Sequence, residues 1–174
     1  MTLATHCCLC RVGGVKVSGI TFINCASSAV IVQGSTSVFA SSPVAFQGCT
    51  FLNNNGTLGS AVQIILTATG SAGSSVTVNA ATFNSCKFSG NSAFSADGSN
   101  SMGGAVLARV TSSPSSLSKG IVTMNFSSCT FTANHADVMG GAVALYGDTV
   151  GFLWTMTATF KTCTVSGWGK TQGC

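Results

Sequence analysis

Apolar positions in this chain come in short runs that restart with the same wording. "CTFLNN" is followed by "GSAV" over residues 49–62, "CKFSGN" by "GGAV" over 86–106, and "CTFTANHADVMGGAV" fills 129–143. Aligned on Phe-x-x-Cys, the chain shows five registers, ending at Cys25, Cys49, Cys86, Cys129 and Cys163, with steps of 24, 37, 43 and 34 residues. Constant wording at variable spacing is how a stack of similar layers with connections of unequal length reads. The three middle registers extend to Cys-x-Phe-x-x-Asn, through Asn54, Asn91 and Asn134. The outer two are degenerate, as terminal repeats usually are.

Parity converts the wording into shape. In an extended segment Cys129 and Phe131 point the same way, because side chains alternate with period two. Phe126, three residues before Cys129, has the wrong parity for one straight strand, so a corner is predicted at Ser127-Ser128, with equivalents at Gln47-Gly48 and Asn84-Ser85. In the Gly-small-Ala-Val segments, Val62 and Ile64, Val106 and Ala108, and Val143 and Leu145 are predicted to face inward, with Gln63, Leu107 and Ala144 facing out. No run of ten residues carries helical spacing, and the β-branched and Gly content disfavours helix. The prediction is an all-β chain, a parallel β-helix (solenoid) of about five irregular coils, spanning residues 20–165. Residues 1–19 read as a Cys-rich N-terminal cap or the continuation of a longer chain, and 166–174 as a C-terminal tail. Two small, polar stretches, 67–80 and 108–122, read as loop insertions.

Composition narrows the function classes. Hydrophobic residues make up 45% of the 174, ample for a core, while charged residues are only 6% against a usual figure of about 25%. Ser, Thr, Asn and Gly must therefore cover the surface, which leaves little repulsion against self-association. The seven cations are scattered, so the clustered charge that phosphate binding needs is missing and no nucleic-acid partner is expected. The apolar run "AVQIIL" at 61–66 is too short for a bilayer span, so no transmembrane segment is expected. Nine cysteines in a Ser/Thr-rich chain point to an oxidising, extracellular or cell-surface setting.

Phe-x-x-Asn followed by Gly-Gly-Ala-Val, here "FLNN" with "GSAV", "FSGN" with "GGAV" and "FTAN" with "GGAV", resembles the repeat of the polymorphic outer membrane proteins of chlamydiae. The resemblance covers roughly residues 20–165 and implies a right-handed β-helix, secreted and displayed at a surface, with a role in adhesion and self-association.

Candidate chemistry is sparse. The cysteines Cys25, Cys49, Cys86, Cys129 and Cys163 are expected to stack as a column about 4.8 Å per step inside the core. There they act as small buried hydrophobes, at a spacing that also admits disulfides. Asn54, Asn91 and Asn134 are expected to form a second column that satisfies corner backbone groups. "HCCLC" at 6–10 holds metal-ligand residue types but only half of a four-ligand zinc motif, so no metal or other cofactor is expected. Cys7, Cys8, Cys10 and Cys174 are instead candidates for terminal cross-links. Asn55 in "NGT" and Asn125 in "NFS" are candidate N-glycosylation acceptors. Polysaccharide hydrolysis needs paired carboxylates, whereas the chain has no Glu and only Asp97, Asp137 and Asp148, so no enzyme activity is expected. The function expected is an extracellular structural or adhesive β-helix, a stalk or a self-associating fibre subunit joined end to end or continuous with a larger chain. The alternative is a carbohydrate-binding or carbohydrate-degrading β-helix that contacts glycans through Tyr146, Trp154 or Trp168.

Overall fold

The computed structural model describes residues 3–4, 8–11, 14–69, 75–96, 101–112, 119–148 and 153–167, with backbone alone at 3–4, 8–11, 112, 148 and 153. Two short strands come first, β1 (Leu3–Ala4) and β2 (Cys8–Arg11). The next pass contains β3 (Lys16–Ser18), β4 (Thr21–Ile23) and β5 (Val30–Ser35), and ends in a six-residue helix, α1 (Thr36–Ser41). It is followed by β6 (Val44–Gln47), β7 (Thr50–Leu52), β8 (Asn55–Gly56) and β9 (Val62–Ala68). The third pass comprises β10 (Ser75–Asn84), β11 (Lys87–Ser89), β12 (Ser92–Ala93) and β13 (Val106–Ser112). The fourth comprises β14 (Lys119–Ser127), β15 (Thr130–Thr132), β16 (His135–Ala136) and β17 (Val143–Asp148). The last holds β18 (Leu153–Lys161) and β19 (Thr164–Ser166).

Every ladder is parallel, and each strand pairs with its equivalent in the next pass. Four sheets result: sheet I in the order β3-β6-β10-β14-β18, sheet II in the order β1-β4-β7-β11-β15-β19, sheet III β8-β12-β16, and sheet IV β2-β5-β9-β13-β17. The protein is all-β, as the sequence predicts, and its parallel sheets fit a β-helix.

Single residues in the left-handed region turn the chain from one sheet to the next. Between sheets I and II they are Gly19, Gly48, Ser85, Ser128 and Thr162, with φ from 52° to 64°, which places the predicted corners correctly. After the sheet II strands, Asn24, Asn53, Gly90 and Ala133 play this part, and ahead of sheet IV it is Gly59, Gly103 and Gly140. Only glycine adopts such a φ without steric cost. The second glycine of the middle Gly-Gly pair has a different reason. A Cβ on Gly104 would lie 2.0 Å from the Gly141 carbonyl oxygen and 2.3 Å from that of His135.

Two phenylalanine columns fill the core. Phe46, Phe83, Phe126 and Phe160 stack in sheet I at centroid spacings of 4.7–4.9 Å. Phe22, Phe51, Phe88 and Phe131 stack in sheet II at 4.7–5.0 Å, and the columns meet edge to face at 5.5–6.1 Å. Both geometries suit the aromatic quadrupole and add about 0.5–1.5 kcal/mol per pair beyond burial.

Three expectations need correction. Within the stretches 67–80 and 108–122, the described residues 67–68, 75–80, 108–112 and 119–122 are strand, Val76 and Val78 alternating with Thr77 and Asn79 and pairing in register with Gly120 to Thr123, while 70–74 and 113–118 lie outside the described residues. Residues 75–80 and 119–122 belong to sheet I, and 67–68 and 108–112 to sheet IV. Gln63, Leu107 and Ala144 are not solvent-facing but buried, Leu107 completely. Leu58, Met102 and Met139, joined by isolated parallel bridges, run along the outside of sheet IV. Leu58 and Met102 form a second, smaller apolar cluster with Leu107, Ala144 and Tyr146. Finally, β1, β2 and β3 pair into the same sheets as the rest, so stacking begins before residue 20, while residues 1–2, 5–7 and 12–13 lie outside the described residues. The helix α1 was not predicted: it starts at an Ser35 N-cap and buries Phe39.

Phe88 is completely buried between two stacked neighbours of the sheet II column, whereas Phe160 stands at the end of the sheet I column, 46% exposed and stacked on one side only. Phe88→Ala is expected to cost about 3–5 kcal/mol, and Phe160→Ala only about 1–2 kcal/mol. Urea unfolding midpoints at unchanged slope measure both, and equal losses would contradict this account of the core.

Candidate functional site

The asparagine column is the most completely bonded polar element of the interior. Asn91 Oδ1 accepts from the Asn54 backbone N–H at 3.1 Å and from Asn54 Nδ2 at 2.9 Å. Asn91 Nδ2 donates to the Phe51 carbonyl at 3.1 Å and to Asn134 Oδ1 at 2.8 Å. The same pattern links Asn134 to the Asn91 N–H and the Phe88 carbonyl, and Asn54 to the Phe22 carbonyl. Each amide thus satisfies backbone groups at the corner of the layer before it, which is what a buried polar group must do.

The cysteine column needs a correction at its start. Cys25 does not stack beneath Cys49. Because Phe22 pairs with Phe51 rather than with Phe46, Cys25 falls at the foot of the asparagine column, where its N–H donates to Asn54 Oδ1 at 3.1 Å. Ile20 takes the place beneath Cys49, its carbonyl accepting from the Thr50 N–H as the Cys49 and Cys86 carbonyls do from Lys87 and Thr130. The phrase "FINC" uses a sheet II phenylalanine, while the other four use sheet I ones, and the words coincide by spacing alone.

Cys49, Cys86, Cys129 and Cys163 do form a column, as thiols and not disulfides. Each S–H bonds the carbonyl two residues back, at 3.3–3.6 Å. Cys49, Cys129 and Cys163 also reach a carbonyl one layer away, on Val17, Phe83 and Phe126. Hydrogen bonds to Cys129 and Cys49 hold the Cys86 thiol protonated, far above its ordinary range, and burial adds to the effect. Reciprocally, the Cys86 hydrogen bond draws Cys49 down to about 6 and Cys129 to about 7, against the opposing effect of burial. Reactivity also needs access, and Cys49, Cys86 and Cys129 are buried whereas Cys163 is half-buried.

The remaining candidates do not converge. Asn55 on β8 and Asn125 on β14 are both exposed, Asn125 donating to Asn79 Oδ1 at 3.2 Å. Cys8 and Cys10 lie in β2, in register with Val30 and Val32. Cys7, Cys174, Asp97 and Trp168 lie outside the described residues. Asp137 bonds His135 Nε2 at 2.8 Å, a pairing of acid with imidazole and not of two carboxylates. Among the described residues, no group of three or more His, Cys, Asp or Glu could hold a metal ion, and no helix is long and apolar enough to cross a membrane. Trp154 packs against the main core and Tyr146 against the outer cluster.

The feature that sequence reasoning missed is the shape of the C-terminal end. The last pass supplies strands to sheets I and II only, so among the described residues nothing covers β16 or β17. An apolar trough of about 360 Å³ opens there, lined by Met139 to Leu145 with Ala158, Phe160 and Val165. Comparison with protein-family models, curated proteins and solved structures finds no match to this chain. Geometry alone therefore carries the functional argument. The trough exposes the inner face of the last layer among the described residues: Val165 is 41% exposed, whereas its column neighbour Phe131 is completely buried.

Asn91→Ala is expected to lower stability by about 2–4 kcal/mol, through orphaned donors on Asn54, and Cys86→Ala by about 1–2 kcal/mol. Denaturant titration of both variants checks the order, which a larger loss for Cys86→Ala would reverse. A neutral maleimide added to the native protein is expected to label Cys163 before Cys49, Cys86 and Cys129, which stay protected until unfolding. Time-resolved peptide mapping reads this directly, and early labelling of Cys49 would mean that the core is open where it is drawn closed.

Proposed function

We propose that this chain is a right-handed parallel β-helix that serves outside the cell as a rigid stalk or a self-associating fibre subunit. The observation that carries the reading is the apolar, open C-terminal edge of the described stack. Among the described residues all four sheets run parallel and stop in edge strands, and at the C-terminal edge apolar side chains equivalent to core residues stand exposed. Unpaired sheet edges beside apolar surface are templates for further strands, and a head-to-tail contact of this kind propagates into filaments. The near-absence of charge opposes this association little, and the exposed sequons at Asn55 and Asn125 suit a glycosylated surface. The role is structural or adhesive and involves no catalysis or cofactor. The resemblance to the chlamydial surface repeats supports the same reading.

Negative-stain electron microscopy of the purified chain, paired with size-exclusion light scattering with and without reductant, tests it. Filaments or a ladder of end-to-end oligomers are expected, and persistence after reduction would show that strand pairing holds them. A compact monomer in both conditions would overturn the fibre reading.

A further inference from the structure

Among the described residues, the two edges of the stack are complementary. At the C-terminal end, sheets I and II reach one strand further than sheet IV, leaving β17 as the sheet IV edge beneath the trough. At the other end, sheet IV begins with β2, one strand before sheet I begins with β3. The end that lacks a sheet IV strand thus matches an end that offers one, with the same parallel direction.

We infer that the trough over Met139 to Leu145 is the seat for β2 of a second copy, which completes a composite layer with β18 and β19. This rests on the end-to-end reading above and specifies its contact. Register defines the joint. Cys8 pairs with Val30, and the column continues through Val62 and Val106 to Val143. Cys10 pairs with Val32, and that column ends at Leu145, while the Leu9 column ends at Ala144. A Cys-Leu-Cys strand laid on β17 repeats the small and apolar pattern of the internal layers, Val62-Gln63-Ile64 and Val106-Leu107-Ala108.

The adjoining sheets then close without a change of register. β3 of the second copy follows onto β18 and sets Val17 over Phe160, as Val17 pairs with Phe46 within one chain. Ile20, 38% exposed at the start of the cysteine column, lands over the half-buried Cys163. Phe22 covers Val165 as it covers Phe51. One element must yield: β1 of the second copy would occupy the sheet II position that β19 already fills. It is two residues long, so its displacement costs little pairing.

The test uses the parallel register. Stacked positions in adjacent parallel strands lie about 4.8 Å apart, within the Cα range that disulfides accept. Val143→Cys and Leu145→Cys are made separately in the full chain, and natural-abundance and isotope-labelled copies are mixed and oxidised mildly. Peptide mapping is expected to find position 143 bonded to Cys8 of the other isotopic form, and position 145 to Cys10. Ala144→Cys, which falls beside Leu9, is expected to give neither bond. Light scattering on the same samples separates the two ideas. Oligomers whose bonds map elsewhere would overturn this seat and leave end-to-end association standing, whereas monomers at every concentration would overturn both.

Discussion

Parallel, in-register pairing is the constraint on which everything else in this protein depends. When a strand pairs with its equivalent one pass later, each side chain meets its own counterpart at the strand spacing of about 4.8 Å. A residue type that bonds well to itself is then favoured in every layer. Phenylalanine stacks face to face at 4.7–5.0 Å, and asparagine donates and accepts along its own column. The repeat in the sequence is the trace of this self-complementarity.

The corners follow from the same constraint. Each pass must leave one sheet and join the next without stranding buried backbone groups. A single left-handed residue makes the turn, and thiols bond carbonyls of their own corner while amides bond groups at the corner one layer earlier. Non-glycine residues such as Ser128 and Ala133 accept an unfavourable φ because the columns on either side hold them in place. The cysteines serve the corners in this way, which gives the four adjacent thiols a structural role as thiols.

A stack that grows by self-complementarity has no internal reason to stop. Interior layers are covered on both sides, whereas Phe160 and Val165 present to one side the surfaces that Phe126 and Phe131 bury. The proposed end-to-end assembly would therefore extend the packing of the core with no new kind of interaction.

The sequence by itself determined the fold class and most of the columns, because a layer's register is written in residues that recur: the Phe-x-x-Cys corners, the asparagines and the glycine pairs. It was legible to the level of which serine turns the chain. It misplaced Cys25, since spacing within one word cannot say which phenylalanine column that word belongs to. It also treated the Val76–Asn79 strand as loop, since its alternation lies in a run dominated by small polar residues. Only the tertiary structure decided that Leu107 lies beneath Met102, outside the main core, because that contact joins segments with no shared repeat. The trough was likewise invisible beforehand: it is a property of which sheets the last pass reaches, and local sequence pattern carries no record of where one sheet outruns another.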